Sequence, residues 1–172
     1  MHYFVKDKDL NYLSYDIGVL SNNNAGYWTG KDDRITSELT STGTVLTGNN
    51  SNLYNCYLGT SSTSRQTCYQ GKLCVEFDVV SVTGANSIRP QLTDGTTKTS
   101  TFYLNELGVV AGDHIKIVVE NDYVDWYIGN AVNPVKHDTV TFSETTYAIG
   151  FRGKYPSVFK FRNFIVYSNL NM

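Results

Sequence analysis

Two carboxylates spaced for joint work stand at Glu76 and Asp78, in the stretch Glu76-Phe77-Asp78-Val79-Val80-Ser81. On an extended chain, residues two apart share a face, so both acids project from the same side. Such a pair can serve acid and base chemistry, and it can equally accept hydrogen bonds from a polar ligand. A second group joins flat rings to amides and hydroxyls. Tyr27-Trp28 follows Asn22-Asn23-Asn24, Tyr54, Tyr57 and Tyr69 fall in or beside the Ser/Thr-rich first half, and Tyr103, Tyr123, Tyr127 and Tyr155 lie beyond. An aromatic face covers the apolar side of a pyranose while neighbouring amides, carboxylates and hydroxyls meet its ring hydroxyls. The candidate ligand-binding residues are therefore Tyr27, Trp28, Tyr57, Glu76 and Asp78. The plainer alternative is that the two acids are outward polar positions on a half-buried strand and that the tyrosines pack at sheet edges with wet hydroxyls.

Metal and thiol chemistry have weaker support. Asp32-Asp33 beside Gly30, with Asn22 to Asn24 upstream, supplies oxygen ligands of the kind calcium takes, without the spacing of an EF-hand loop. Asp32 and Asp33 are the candidate metal ligands, and turn formation is the competing role for such runs. No other cofactor is expected. Cys56, Cys68 and Cys74 form neither a Cys-x-x-Cys pair nor a Cys/His zinc pattern. Cys56 and Cys68 would close a loop across the Ser/Thr-rich segment if oxidised, or all three stay reduced in a reducing cell. A Cys/His hydrolase would need His114 or His137 held beside a thiol, which no spacing here requires.

The elements that must position these residues read as strands. From Lys72 to Val80, Leu73, Val75, Phe77 and Val79 alternate with Cys74, Glu76 and Asp78. Ile115, Ile117 and Val119 alternate in His114 to Glu120, and Val124, Trp126 and Ile128 in Tyr123 to Ile128, with Asn121-Asp122 as the hairpin turn between them. Trp126 shares the apolar parity and is assigned to the core. Further strands are expected at Arg34 to Thr40, Gly43 to Thr47, Leu53 to Leu58, Ser87 to Leu92, Ser100 to Leu104, Tyr147 to Phe151 and Val158 to Ser168. In the last, Phe159 and Phe161 keep one parity and Phe164 and Val166 the other, which a bulge near Arg162-Asn163 reconciles. Asn22 to Gly30 and Thr60 to Thr67 are expected as loops, and Pro134 marks an edge or irregular segment. No stretch offers helical periodicity. About ten short strands at spacings of roughly 8 to 15 residues predict an antiparallel sandwich or barrel.

Composition narrows the partners. The chain has 172 residues, 17% charged, with Lys+Arg 14 against Asp+Glu 16 and a net charge of -2, so no basic field draws a phosphate backbone and nucleic acid is not an expected partner. No apolar run approaches the ~20 residues of a membrane helix, and Met1 to Leu10 is too polar for a signal-peptide core, so membrane insertion is not expected. A single domain spanning 1–172 is expected, with a loop-rich part at 1–70.

The block from Lys72 to the C-terminus resembles concanavalin A-like jelly-roll modules of the laminin-G and lectin type. The residues that carry the likeness are Leu73-Cys74-Val75-Glu76-Phe77-Asp78-Val79, the hairpin from Gly112 to Gly129, and Ala148-Ile149-Gly150-Phe151 followed by Phe159 to Tyr167. The resemblance implies an all-β, antiparallel two-sheet β-sandwich. Modules that look like this occur in microbial surface adhesins, in carbohydrate-binding domains attached to glycosidases, and in phage and archaeal virus tail proteins. It therefore implies a noncatalytic module recognising a cell-surface glycan or cell-wall polymer, in a viral tail or receptor-binding domain or an adhesin, placed in a virion or at a cell surface. A homo-oligomer, a trimer by resemblance, fits that setting. Two alternatives stand beside it. A purely structural virion or surface protein would bury Tyr27, Trp28 and Tyr57 on assembly. A laminarinase-like glycoside hydrolase would use the Glu-x-Asp-x-x-Glu motif of that family, but Ser81 occupies the place of its second Glu. Asp125 or Glu120 would have to substitute for it.

Overall fold

The computed structural model describes residues 28–30, 33–52, 54–58, 66–67, 73–84, 88–94, 96–97, 99, 104–120, 122–143 and 146–167. The strands are β1 (Trp28–Gly30), β2 (Ile35–Thr40), β3 (Gly43–Gly48), β4 (Tyr54–Leu58), β5 (Gln66–Thr67), β6 (Leu73–Thr83), β7 (Arg89–Thr93), β8 (His114–Glu120), β9 (Tyr123–Ile128), β10 (Lys136–Thr139), β11 (Thr146–Gly153) and β12 (Ser157–Tyr167). Every pairing among them is antiparallel. Seven form one sheet in the order β10-β9-β8-β6-β12-β3-β2. In the five-stranded sheet β11 is the hub, bonded to β4, β5 and β7, with β1 outside β4.

Alternation explains why these segments pair as they do. In β6, β8 and β9 one parity is buried, namely Leu73, Val75, Phe77 and Val79, then Ile115, Ile117 and Val119, then Val124 and Trp126. Phe77 lies at the centre of the space between the sheets. It meets Phe151 of the smaller sheet edge-on at 5.5 Å and stacks on Phe164 of β12 at 5.8 Å and 14°. Phe159 and Phe161 close the cluster. Trp126 is 1% exposed, in the core as its parity requires. The apolar parity of the large sheet thus faces the smaller sheet, and the other parity forms an outer face.

Apart from Ser100 to Leu104, of which 100–103 lie outside the described residues, the expected strands recur with small changes of boundary, and four local expectations change. Of the expected Asn22 to Gly30 loop, 22–27 lie outside the described residues, and Trp28–Gly30 is a strand paired with β4. Gln66–Thr67, placed in a loop by its polar neighbours, bonds to Thr146 and Tyr147 of β11. Leu104, expected to end a strand, instead opens a 3-10 turn over Leu104–Leu107, with Leu104 buried beneath it. After the irregular run around Pro134, Lys136–Thr139 adds an edge strand to β9. All four involve two to four residues, too few for periodicity to declare a partner. The bulge in β12 is present: the register with β6 shifts between Arg162 and Ile165 and again between Lys160 and Phe161. Asn163 takes the left-handed conformation there, at φ 52.

A buried carboxylate ties β7 to the segment after β10. Asp94 Oδ1 accepts from the amides of Thr96 and Thr97 at 2.8 and 2.6 Å, and Oδ2 from the amide and hydroxyl of Ser143 at 2.7 and 2.9 Å. Burial alone would raise the Asp94 carboxyl, but these four donors outweigh it and hold it at about 2.

Candidate functional site

The outer face of the seven-stranded sheet is built as rows of cross-strand partners. Arg162, Asp78 and His114 form one row. Glu76 pairs with Lys116, and Lys116 with Tyr127. In the next row Cys74 pairs with Val118, Val118 with Asp125, and Asp125 with His137. The alternation that turns Phe77 and Ile115 inward necessarily turns Asp78 and His114 outward, so the core pattern itself assembles this polar lattice.

At its centre one imidazole joins two carboxylates. His114 Nδ1 lies 2.8 Å from Asp78 Oδ1, and its Nε2 3.3 Å from Glu76 Oε2. A neutral ring has one N–H, so both acids receive a donor together only from the doubly protonated imidazolium. The bulge at Asn163 turns its amide onto the same carboxylate, with Nδ2 donating to Asp78 Oδ2 at 2.6 Å. Arg162 Nε stands 3.8 Å from that oxygen. Partial burial would raise the Asp78 carboxyl; the hydrogen bonds from His114 and Asn163 and the charges of His114 and Arg162 outweigh it and hold Asp78 below its ordinary value. The group stays within reach of solvent, with side-chain exposure of 43% at His114 and 21% at Glu76.

Aromatic rings flank the cluster on β9. Lys116 Nζ sits 5.8 Å from the centre of the Tyr127 ring, within cation–π range. Burial and the charges of Asp125 and Cys74 push the Tyr127 hydroxyl upward. Tyr123 bonds to Glu120, and that bond, burial and the charges of Glu120, Asp125 and Asp122 also push its hydroxyl upward. His137 meets Asp125 Oδ1 at 2.6 Å and lies 5.4 Å from the Tyr123 ring. The face thus presents fixed donors, fixed acceptors and a ring, the inventory for hydroxyl-rich ligands.

Of the sequence candidates, Glu76 and Asp78 come together here. Trp28 and Tyr57 lie on adjacent strands of the other sheet, where Thr29 is opposite Tyr57, and the core separates that sheet from the Glu76–Asp78 face. Their side chains, like Tyr27 and Asp32, fall outside the described residues. Asp33 is exposed in the turn before β2, where its carbonyl accepts from Asn49 Nδ2 at 2.8 Å. No group of three or more His, Cys, Asp or Glu that could hold a metal ion occurs among the described residues, and Asp32 lies outside them. Cys56 and Cys74 are buried, Cys74 Sγ lies 3.6 Å from Glu76 Oε1, and Cys68 falls outside the described residues. Burial pushes the Cys56 thiol up to about 12 despite a hydrogen bond with Ser37, which makes it a core residue and a poor nucleophile.

The substitute acids for a hydrolytic site are not beside Glu76. Asp125 is two strands across and one pair along, roughly 12 Å away by strand spacing and rise, and is engaged with His137. Glu120 bonds to Tyr123 at the far end of β8. Ser81 pairs with Lys160. Sequence reasoning missed His114, Asn163 and Lys116 as site residues. Strand parity marked His114 and Lys116 as outward, but parity does not say which strand is the neighbour.

In backbone course the chain is similar to a Bacillus subtilis protein of unknown function with a galectin-like fold, at TM-score 0.64 and 12% identity over 94% of this chain and 97% of that one. It is also similar to the carbohydrate recognition domain of Emp46p in its metal-free form, at TM-score 0.53 and 9% identity over 86% and 90% of the two chains. A third likeness is to lectin UEA-II solved in complex with galactose, at TM-score 0.51 and 7% identity over 91% and 98%. No family model and no curated protein matches the sequence. At these identities the likeness establishes the fold alone, an all-β antiparallel two-sheet sandwich of jelly-roll type, as the concanavalin A-like resemblance implies.

Proposed function

We propose that the protein is a noncatalytic carbohydrate-recognition module whose contact surface is the outer face of the seven-stranded sheet. The observation that carries this reading is the constellation of Glu76, Asp78, His114 and Asn163, held by mutual hydrogen bonds at the centre of that face beside the Lys116–Tyr127 pair. Such a lattice keeps its donors and acceptors in place before a ligand arrives, so less ordering entropy is lost on binding. Two of the similar folds support it by their own chemistry, one being a carbohydrate recognition domain and the other a lectin seen with galactose. Fold alone does not carry function, which is why the reading rests on the site.

In its finer form the proposal places the module at a viral or cellular surface, as a tail, receptor-binding or adhesin domain engaging host glycan or cell-wall polymer. The Ser, Thr, Asn and Tyr content supports that setting. Oligomeric display would multiply weak sites by avidity. A glycan array that includes cell-wall polymers, probed with the intact protein, tests the reading. Binding to a defined set of glycans, abolished in Asp78→Ala, is expected; an array without a hit favours a purely structural surface protein.

A further inference from the structure

The connection from β11 to β12 places a second feature on this outer face. Tyr155 is 65% exposed, and with Pro156 and Val158 it borders an open depression of about 210 Å³ also lined by Thr47 and Thr83. That is smaller than the ~300–1,000 Å³ of pockets for drug-sized ligands and suits a single ring. The backbone under Tyr155 is fixed. Its N–H donates to the Asn50 carbonyl at 2.7 Å, and Ser157 Oγ donates to the Lys154 carbonyl. Gly84, at φ +79, lies so close beneath the connection that a Cβ there would come within 1.6 Å of the Pro156 carbonyl oxygen. An exposed ring on a fixed backbone offers a flat apolar face with little left to order.

Its position relative to the central cluster is set by strand register. Val158 pairs with Thr47 and Thr83, Lys160 with Val45 and Ser81, and Arg162 with Asp78. The depression therefore lies roughly 13 Å along β12 from the Asp78 row, at the rise of an extended strand. Ser81 and Lys160 occupy the interval. A lone sugar ring cannot touch both ends, whereas a short chain of sugars can.

We propose that Tyr155, Pro156 and Val158 form a second sugar subsite, and that the ligand class is a linear oligosaccharide laid along β12 between this platform and the Asp78–His114 cluster. One ring stacks on Tyr155, and the hydroxyls of Thr47 and Thr83 face its edge. This inference rests on the reading of the outer face as a glycan surface. The test is calorimetric titration of laminarin-, galactan- and xylan-derived oligosaccharides from monosaccharide to hexasaccharide. With the wild-type protein, affinity for the bound series rises roughly fivefold to tenfold once the chain spans both ends, the increment of one aromatic contact. Tyr155→Ala removes that rise and leaves the shortest ligands bound as before, while Tyr155→Phe keeps it. Thermal melting controls for folding, which an exposed ring should not affect. Affinity that does not grow with length, or Tyr155→Ala matching wild type at every length, overturns the subsite and leaves the recognition reading standing. No binding at any length overturns both.

Discussion

Asp78 gathers three partners on the outer face: His114 and Asn163 donate to it and Arg162 stands beside it. Because these groups are partly exposed, the arrangement contributes little to folding and much to presenting a fixed array. Asp78→Ala should therefore change unfolding free energy by only about 1 kcal/mol while lowering glycan affinity at least tenfold, measured by denaturant titration and calorimetry side by side. Asp94 is the opposite case, buried and structural. Its folded pKa of about 2 lies below the ordinary 3.8, so its contribution is fully present above pH 3.8 and is lost as pH falls toward 2. In Asp94→Asn the acid limb of a stability–pH curve should flatten across that window. At pH 7 the same substitution should cost about 1.5–3 kcal/mol, the range for hydrogen bonds to a charged acceptor. At this scale the sequence was half legible. The parity of Leu73 to Val79 placed Glu76 and Asp78 on one face, but His114 lies 36 positions away from Asp78 and Asn163 lies 85 away. Only sheet order brings them together.

Among elements, the long alternating strands β6, β8, β9 and β12 were readable because burial on one face imposes a period of two. The bulge in β12 was readable for the same reason, as the parity change between Phe161 and Phe164 has no other remedy in a strand with a buried face. The short elements β1, β5 and β10 were not, since their polar residues are held by the edge of an existing sheet and leave no periodic trace. The β11–β12 connection is the element on which the second subsite depends, and Gly84 is its support. Gly84→Ala meets both a left-handed backbone and the Pro156 carbonyl. It should destabilise by about 1–3 kcal/mol and shift the Tyr155 ring, seen as a lower Tm together with changed fluorescence quenching by oligosaccharide.

In the whole molecule, two sheets close over one aromatic centre, and the face proposed for recognition is the reverse of the face that packs the core. Phe77 and Asp78 are sequence neighbours on these two faces. Phe77→Ala removes the ring that touches Phe151, Phe159, Phe161 and Phe164, and should destabilise by about 3–5 kcal/mol. The cluster at the centre of the outer face is drawn wholly from residues after Leu73, while Trp28 and Tyr57 belong to strands of the other sheet. The competing locations lie on different sheets, so they separate cleanly. On the glycan bound most strongly in an array, surface plasmon resonance should compare Asp78→Ala combined with Lys116→Ala against Trp28→Ala combined with Tyr57→Ala. Loss of at least tenfold in the first pair with near-wild-type binding in the second is the predicted result. Retained binding in the first pair and loss in the second would contradict the assignment of the recognition surface to the seven-stranded sheet.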